Sequence, residues 1–203
     1  MSVSRTSGKV HALPEGFIFE REFLGADEET DLLSVISRMD FRTLQMRGVT
    51  ARRRIKQFGW HYTFESYQLT PADPIPAEFD RIAERSAALA GVDGSEWAEA
   101  LVTEYPAGAG IGWHRDAPPF GIVAGISLQG ACRMRFQTGT GPSRVTSAIE
   151  LPPRSIYLLT GAARSQWQHM IPPTREPRYS ITFRTLRNRN TRDAVLNRSM
   201  QDR

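Results

Sequence analysis

Arg178-Tyr179-Ser180-Ile181-Thr182-Phe183-Arg184 places arginine and hydroxyl side chains at every second position, with Tyr179, Ile181 and Phe183 between them. A period of two marks a strand, because successive side chains of extended backbone point to opposite faces. Residues 121–128, 132–137, 144–151 and 155–160 repeat the theme as short apolar or alternating runs. Turn chemistry separates them, in Gly139-Thr140-Gly141-Pro142 and Leu151-Pro152-Pro153-Arg154. So many short strands leave exposed edges, and a two-sheet jelly roll is the economical way to protect them. Upstream the periodicity changes. From Asp27 to Met39, the residues Leu32, Val35, Ile36 and Met39 recur at helical spacing behind an acidic start. A second helix is expected from about Pro76 to Ala90, with Gly91 placed to stop it. The fold class is therefore α+β, mainly β, in one domain over 1–203. Helices and a connecting segment occupy about 1–100, the jelly-roll core about 101–186 and a basic tail 187–203.

A chain of 203 residues with 40% hydrophobic content suits one domain that buries about two thirds of its unfolded surface. No apolar run approaches the roughly 20 residues that span a bilayer, and Met1 to Val10 lacks the apolar core of a signal peptide. A cytoplasmic protein with no membrane partner is expected. The single cysteine, Cys132, forms no internal disulfide and reads as a buried structural thiol. The net charge of +4 favours an anionic partner only weakly. Clustering says more: Arg52, Arg53, Arg54 and Lys56 stand together, as do Arg184, Arg187, Arg189 and Arg192. Phosphates can track along such groups, although a solvated charged face explains them as well.

His114 and Asp116 are two apart, so an extended backbone aims an imidazole and a carboxylate at one point while Arg115 faces away. A second histidine from a distant strand, His169, completes a two-histidine, one-carboxylate set. That donor set suits ferrous iron with coordination positions left open for co-substrate and oxygen, which tetrahedral structural zinc lacks. Arg178 and Arg184 share one strand face, their backbones roughly 20 Å apart. Inward-leaning guanidinium forks would leave room for a small dicarboxylate, which they bind bidentately at every relevant pH. The pattern suits 2-oxoglutarate. His61, by contrast, reads as a structural histidine.

Three segments in the right order resemble the AlkB-like Fe(II)/2-oxoglutarate-dependent dioxygenases. They are Thr103-Glu104-Tyr105 running into His114-Arg115-Asp116, then His169, then Arg178 to Arg184. Together they cover the C-terminal half. The resemblance implies a double-stranded β-helix, with His114, Asp116 and His169 on iron. It also implies Arg178 on the distal carboxylate of 2-oxoglutarate, Arg184 near its metal-bound end, and Tyr105 assisting. Thr103 and Ser180 stand where the family has asparagine, which predicts weaker co-substrate binding. Pro118 stands where repair-type members often have a carboxylate that meets the base. A shorter match, Lys56-Gln57-Phe58-Gly59-Trp60-His61-Tyr62-Thr63-Phe64-Glu65, is similar to the lid over a flipped base.

These residues predict an enzyme that uses Fe(II), 2-oxoglutarate and O2 to demethylate N-alkylated nucleobases in DNA or RNA. Arg54, Trp60, Tyr62 and Phe64 are the expected substrate contacts: Phe64 stacks on an extruded base and Tyr62 offers a hydroxyl. Trp113 reads as support for His114. The rival readings are a tRNA-modifying hydroxylase, a protein-directed dioxygenase of the same chemistry, and a non-enzymatic nucleic-acid-binding module.

Overall fold

The computed structural model describes residues 12–46, 49–63 and 68–187. Twelve strands occur among them: β1 (Phe17–Glu20), β2 (Arg42–Met46), β3 (Val49–Thr63), β4 (Gln68–Pro71), β5 (Trp97–Tyr105), β6 (Ile111–His114), β7 (Phe120–Leu128), β8 (Cys132–Thr138), β9 (Val145–Leu151), β10 (Ile156–Leu159), β11 (Gln168–Ile171) and β12 (Arg178–Leu186). The larger sheet runs β1-β10-β7-β12-β5-β3-β2, with β4 added on β3, and the smaller runs β6-β11-β8-β9. Every pairing between them is antiparallel, so neighbours far apart in sequence close two sheets face to face.

The two faces of the larger sheet bury different things. One face, with Ala100, Val102, Ala124, Ile126, Ile181 and Phe183, packs on two helices, α1 (Ala26–Ile36) and α2 (Asp80–Ala90), through Leu32, Ile36 and Ile82, joined by Phe79 just before α2. The other face looks toward the smaller sheet across Val123, Leu159, Met134, Phe136 and Ile171. Residues 178, 180, 182 and 184 belong to this second, inner face, because they alternate with the helix-facing Ile181 and Phe183.

α1 is shorter than the pattern predicts. It stops at Ile36, and Met39 closes a turn on the Ile36 carbonyl instead. Its acidic first turn is as expected, and the Glu28 carboxylate accepts from the Gly25 amide at 3.2 Å. α2 is preceded by a 3-10 turn over Ala77–Phe79, and Gly91 caps it at φ 70°. The first hundred residues also hold more than helices and a lid. They contribute four complete strands and the start of β5, because the 49–63 segment pairs along β5 and so widens the larger sheet. Gly59 bends that strand at φ 76°, where a Cβ would sit 2.2 Å from the Ala98 carbonyl oxygen. Beyond it, among the described residues, the strand pairs with β4. No helix among the described residues is long and apolar enough to cross a membrane.

Candidate active site

His114 ends β6 and is the direct cross-strand partner of His169 on β11. Their ring centroids are 4.3 Å apart. Asp116 lies two residues past the end of β6, so strand pairing alone does not aim it. Two arginines do. Arg184 donates from Nε to Asp116 Oδ1 at 2.8 Å. Arg164, on the short helix α3 (Gly161–Ser165), donates to the carbonyls of Ala117, Phe120 and Gly121 at 2.8, 2.7 and 2.9 Å, fixing the segment that follows Asp116. The second carboxylate oxygen, Oδ2, is buried without a hydrogen-bond partner and lies 3.6 Å from His169 Nε2. The three side chains are gathered but not closed: among the described residues, no three His, Cys, Asp or Glu groups stand at metal-ligand spacing.

The donor chemistry nevertheless fits a hard or borderline cation. His114 Nδ1 faces the Gly112 carbonyl at 2.9 Å, which makes Nδ1 the protonated nitrogen and leaves the Nε2 lone pair for a ligand. Burial, then His114, pushes His169 down to about 3, so its imidazole is neutral. Burial alone would raise Asp116. The Arg184 guanidinium, with His169 and His114, outweighs it and holds the carboxyl far below the usual carboxylate range. Two neutral imidazoles and a bare carboxylate oxygen at one buried place form a ligand set.

Arg178 presents the complementary case. It is 1% exposed, lies with its guanidinium carbon 4.7 Å from the centre of the Tyr105 ring, and donates to Ser127 Oγ at 3.1 Å. Its Nε and the other terminal nitrogen are buried without partners. A buried guanidinium is costly unless an anion faces it, so two unpaired donors fit a carboxylate. Thr103 and Ser180 are buried register partners in the next row, beside Ser127. Arg184, at the other end of the face, is occupied by protein carboxylates. Besides Asp116, it donates to Glu99 at 2.6 Å, and Glu99 accepts from Gln57 at 3.2 Å. Since Gln57 spends its amide nitrogen there, its oxygen accepts from His61 Nδ1.

Residues 20–188 match the family described as the 2OG-Fe(II) oxygenase superfamily. The chain belongs to that superfamily. The chemistry of that superfamily uses Fe(II), 2-oxoglutarate and O2. The oxygenase is 28% identical to uncharacterized protein L905 of Acanthamoeba polyphaga mimivirus over 186 residues, covering 84% of this chain and 85% of that one. It is 26% identical to the mouse tRNA (carboxymethyluridine(34)-5-O)-methyltransferase ALKBH8 over 81% of this chain but 25% of that protein. For the Arabidopsis thaliana alkylated DNA repair protein ALKBH8 homolog the identity is 25%, with 77% and 51% covered. The oxygenase thus spans between a quarter and about half of the two ALKBH8-named relatives. The solved structure of OsALKBH1 superposes with a TM-score of 0.67 at 16% identity, over 86% of this chain and all of that one. A Pseudomonas putida prolyl-4-hydroxylase gives 0.61 at 16%, over 85% and 93%. These likenesses establish the double-stranded β-helix, and family membership establishes a dioxygenase rather than a binding module.

The expected substrate contacts separate once the oxygenase is folded. Arg54 faces the helix side of β3, opposite to Arg178, where it pairs with Glu104 and lies 5.8 Å from the Phe41 ring centre. It is thereby removed from the inner face, and Arg53 takes the half-buried inward position. Lys56 is paired with Asp73 at 2.7 Å. Tyr62 is buried against Ala117 and Phe120, so it packs the segment after Asp116. Trp60 is half-buried on the stretch past Gly59, and Phe64 lies outside the described residues. Trp113 faces away from His114, with Arg135 5.8 Å from its ring centre, and does not buttress the imidazole. Sequence reading missed Glu99 and Arg164. Glu99 had a signal, four residues before Thr103 on the same strand face; Arg164 had none, because its partners are backbone carbonyls more than forty residues away.

Proposed function

We propose that His114, Asp116 and His169 hold Fe(II), that Arg178 takes the distal carboxylate of 2-oxoglutarate, and that the substrate is a nucleic acid whose N-methylated bases are demethylated. The observation that carries this reading is one interior holding both a partnerless Asp116 oxygen beside two imidazoles and two partnerless Arg178 donors. Bound iron with 2-oxoglutarate and O2 supplies the oxidising power, yielding succinate and CO2 as a substrate C–H bond becomes C–OH. When that carbon is attached to nitrogen, the hydroxymethyl group leaves as formaldehyde.

The protein's own residues do the rest. Arg184 keeps Asp116 ionised and oriented, with its free oxygen turned to the histidines. Arg178 and Tyr105 anchor the co-substrate in a space walled by Phe136, Leu159 and Ile171, which excludes water. Exposed Arg52 on β3 and exposed Arg187 just past β12, with half-buried Arg53, offer phosphate contacts.

A second reading draws on the relatives' names, which specify a tRNA uridine in the mouse protein, and on Pro118 beside Asp116. In it the same centre hydroxylates a modified tRNA nucleoside without releasing formaldehyde. Incubation with N-methylated DNA and RNA oligonucleotides and with bulk tRNA, followed by nucleoside mass spectrometry, separates them. Loss of the methyl group from an oligonucleotide supports demethylation. A hydroxylated tRNA nucleoside with untouched oligonucleotides supports the second reading, and no change in any nucleoside sinks both.

A further inference from the structure

Between the two arginines, the inner wall of the larger sheet carries a phenol that none of the roles above employs. Tyr157 on β10 pairs with Gly125 on β7, and the same row continues through Thr182 on β12 to Leu101 on β5. The row of Arg184 and Glu99 lies on one side of it. On the other side lie the row of Ser127, Ser180 and Thr103, then that of Arg178 and Tyr105. The tyrosine side chain does not stand upright over its own strand. A Cβ added at Gly125 would sit 2.2 Å from Tyr157 Cζ and 2.5 Å from its hydroxyl oxygen, so the ring lies across β7 toward β12. Glycine at 125 is what permits this, since any side chain would occupy the ring's place. Phe17 stacks behind the ring at 6.1 Å and 18°, and Phe136 packs edge-on against Phe17, so the phenol is backed on its far side.

Burial, then Asp116 and Tyr105, pushes the phenol above its ordinary value, while Arg178 and Arg184 act in the opposite sense. The group is therefore protonated, a donor, and lies within the electrostatic reach of both arginines and of Asp116.

We propose that Tyr157 binds 2-oxoglutarate directly, donating its phenolic hydrogen to a carboxylate oxygen. In this chain it supplies a donor that Thr103 and Ser180, shorter than the asparagines expected there, do not extend far enough to give. The proposal rests on the reading of Arg178 and Asp116 above and adds to it a residue outside all three matched segments.

Tyr157→Phe removes the hydroxyl while keeping the ring, its Phe17 stack and its place over Gly125. The test is calorimetric titration of 2-oxoglutarate into the full chain loaded with Mn(II), without oxygen, for wild type and Tyr157→Phe. Mn(II) titrations and thermal melts of the metal-free proteins run in parallel. Loss of a hydrogen bond to a charged acceptor predicts roughly tenfold or greater weakening of 2-oxoglutarate binding, with Mn(II) affinity and melting temperature unchanged. Equal 2-oxoglutarate affinity in the two proteins overturns the proposal, as does a loss of Mn(II) binding, which would make the hydroxyl structural. A wild-type protein that binds Mn(II) but no 2-oxoglutarate would overturn the underlying reading of the site, and the role of Tyr157 with it.

Discussion

Asp116 shows how a single residue acquires its function from neighbours that the local sequence does not contain. Its spacing from His114 is legible, but its orientation comes from Arg184 on β12 and from the Arg164 clasp on the following segment. Arg178 was readable for the same reason as its strand: alternation puts it on the inner face. Replacing it by lysine keeps the charge and loses the planar fork. Arg178→Lys is expected to raise KM for 2-oxoglutarate by about tenfold or more while lowering kcat less; steady-state succinate assays check the split. Glu99 closes the chain Asp116–Arg184–Glu99–Gln57–His61. Glu99→Ala strips the buried Arg184 of one of two carboxylates and should cost about 3–5 kcal/mol of stability in urea unfolding. A change below about 1 kcal/mol would show the pair to be solvated in solution. The acid side of the stability profile follows from His169. Its folded value, pushed down to about 3, is below the ordinary imidazole value. As pH falls through about 6.5, the unfolded chain takes up a proton that the folded one refuses, and stability drops by about 1.4 kcal/mol per pH unit for this group. Asp116, held low, adds a further loss below about pH 4. Thermal melts of the metal-free protein should therefore show a midpoint that falls from about pH 6.5 downward, and a midpoint that rises there would contradict a neutral buried imidazole.

At the scale of elements, the strands of the second half were legible because each is a short run between glycine or proline breaks, and β12 has the bounds its alternation implies. β3 was harder. Its charged residues resemble a solvated segment, yet Arg54 and Lys56 are neutralised by Glu104 and Asp73, and the strand joins the larger sheet through long-range pairing. Register is a tertiary property that alternation does not fix. The signal that was present is Gly59, a strand glycine with a left-handed conformation. Gly59→Ala places a methyl against the Ala98 carbonyl oxygen and should destabilise by more than about 1 kcal/mol. It should also displace Trp60 and His61, which follow it on the stretch paired with β4. Urea unfolding with tryptophan fluorescence reports both, and an unchanged midpoint would mean that β3 is not bent as described.

For the whole molecule, two cores flank one sheet: helices cover the outer face, and the inner face with the smaller sheet encloses the site. Composition bounded this arrangement without locating it, since net charge of +4 says nothing about which arginines are spent. Arg54, Arg164, Arg178 and Arg184 are committed inside the structure or to carboxylates, and fewer cations remain for phosphates than the sequence suggests. The decisive measurement is of succinate and formaldehyde together, aerobically with Fe(II) and 2-oxoglutarate, with and without N-methylated oligonucleotides, for wild type and Asp116→Ala. Matched, oligonucleotide-dependent yields from the wild type and none from Asp116→Ala are expected. Iron-dependent succinate from Asp116→Ala equal to that of the wild type would contradict the assignment of the site.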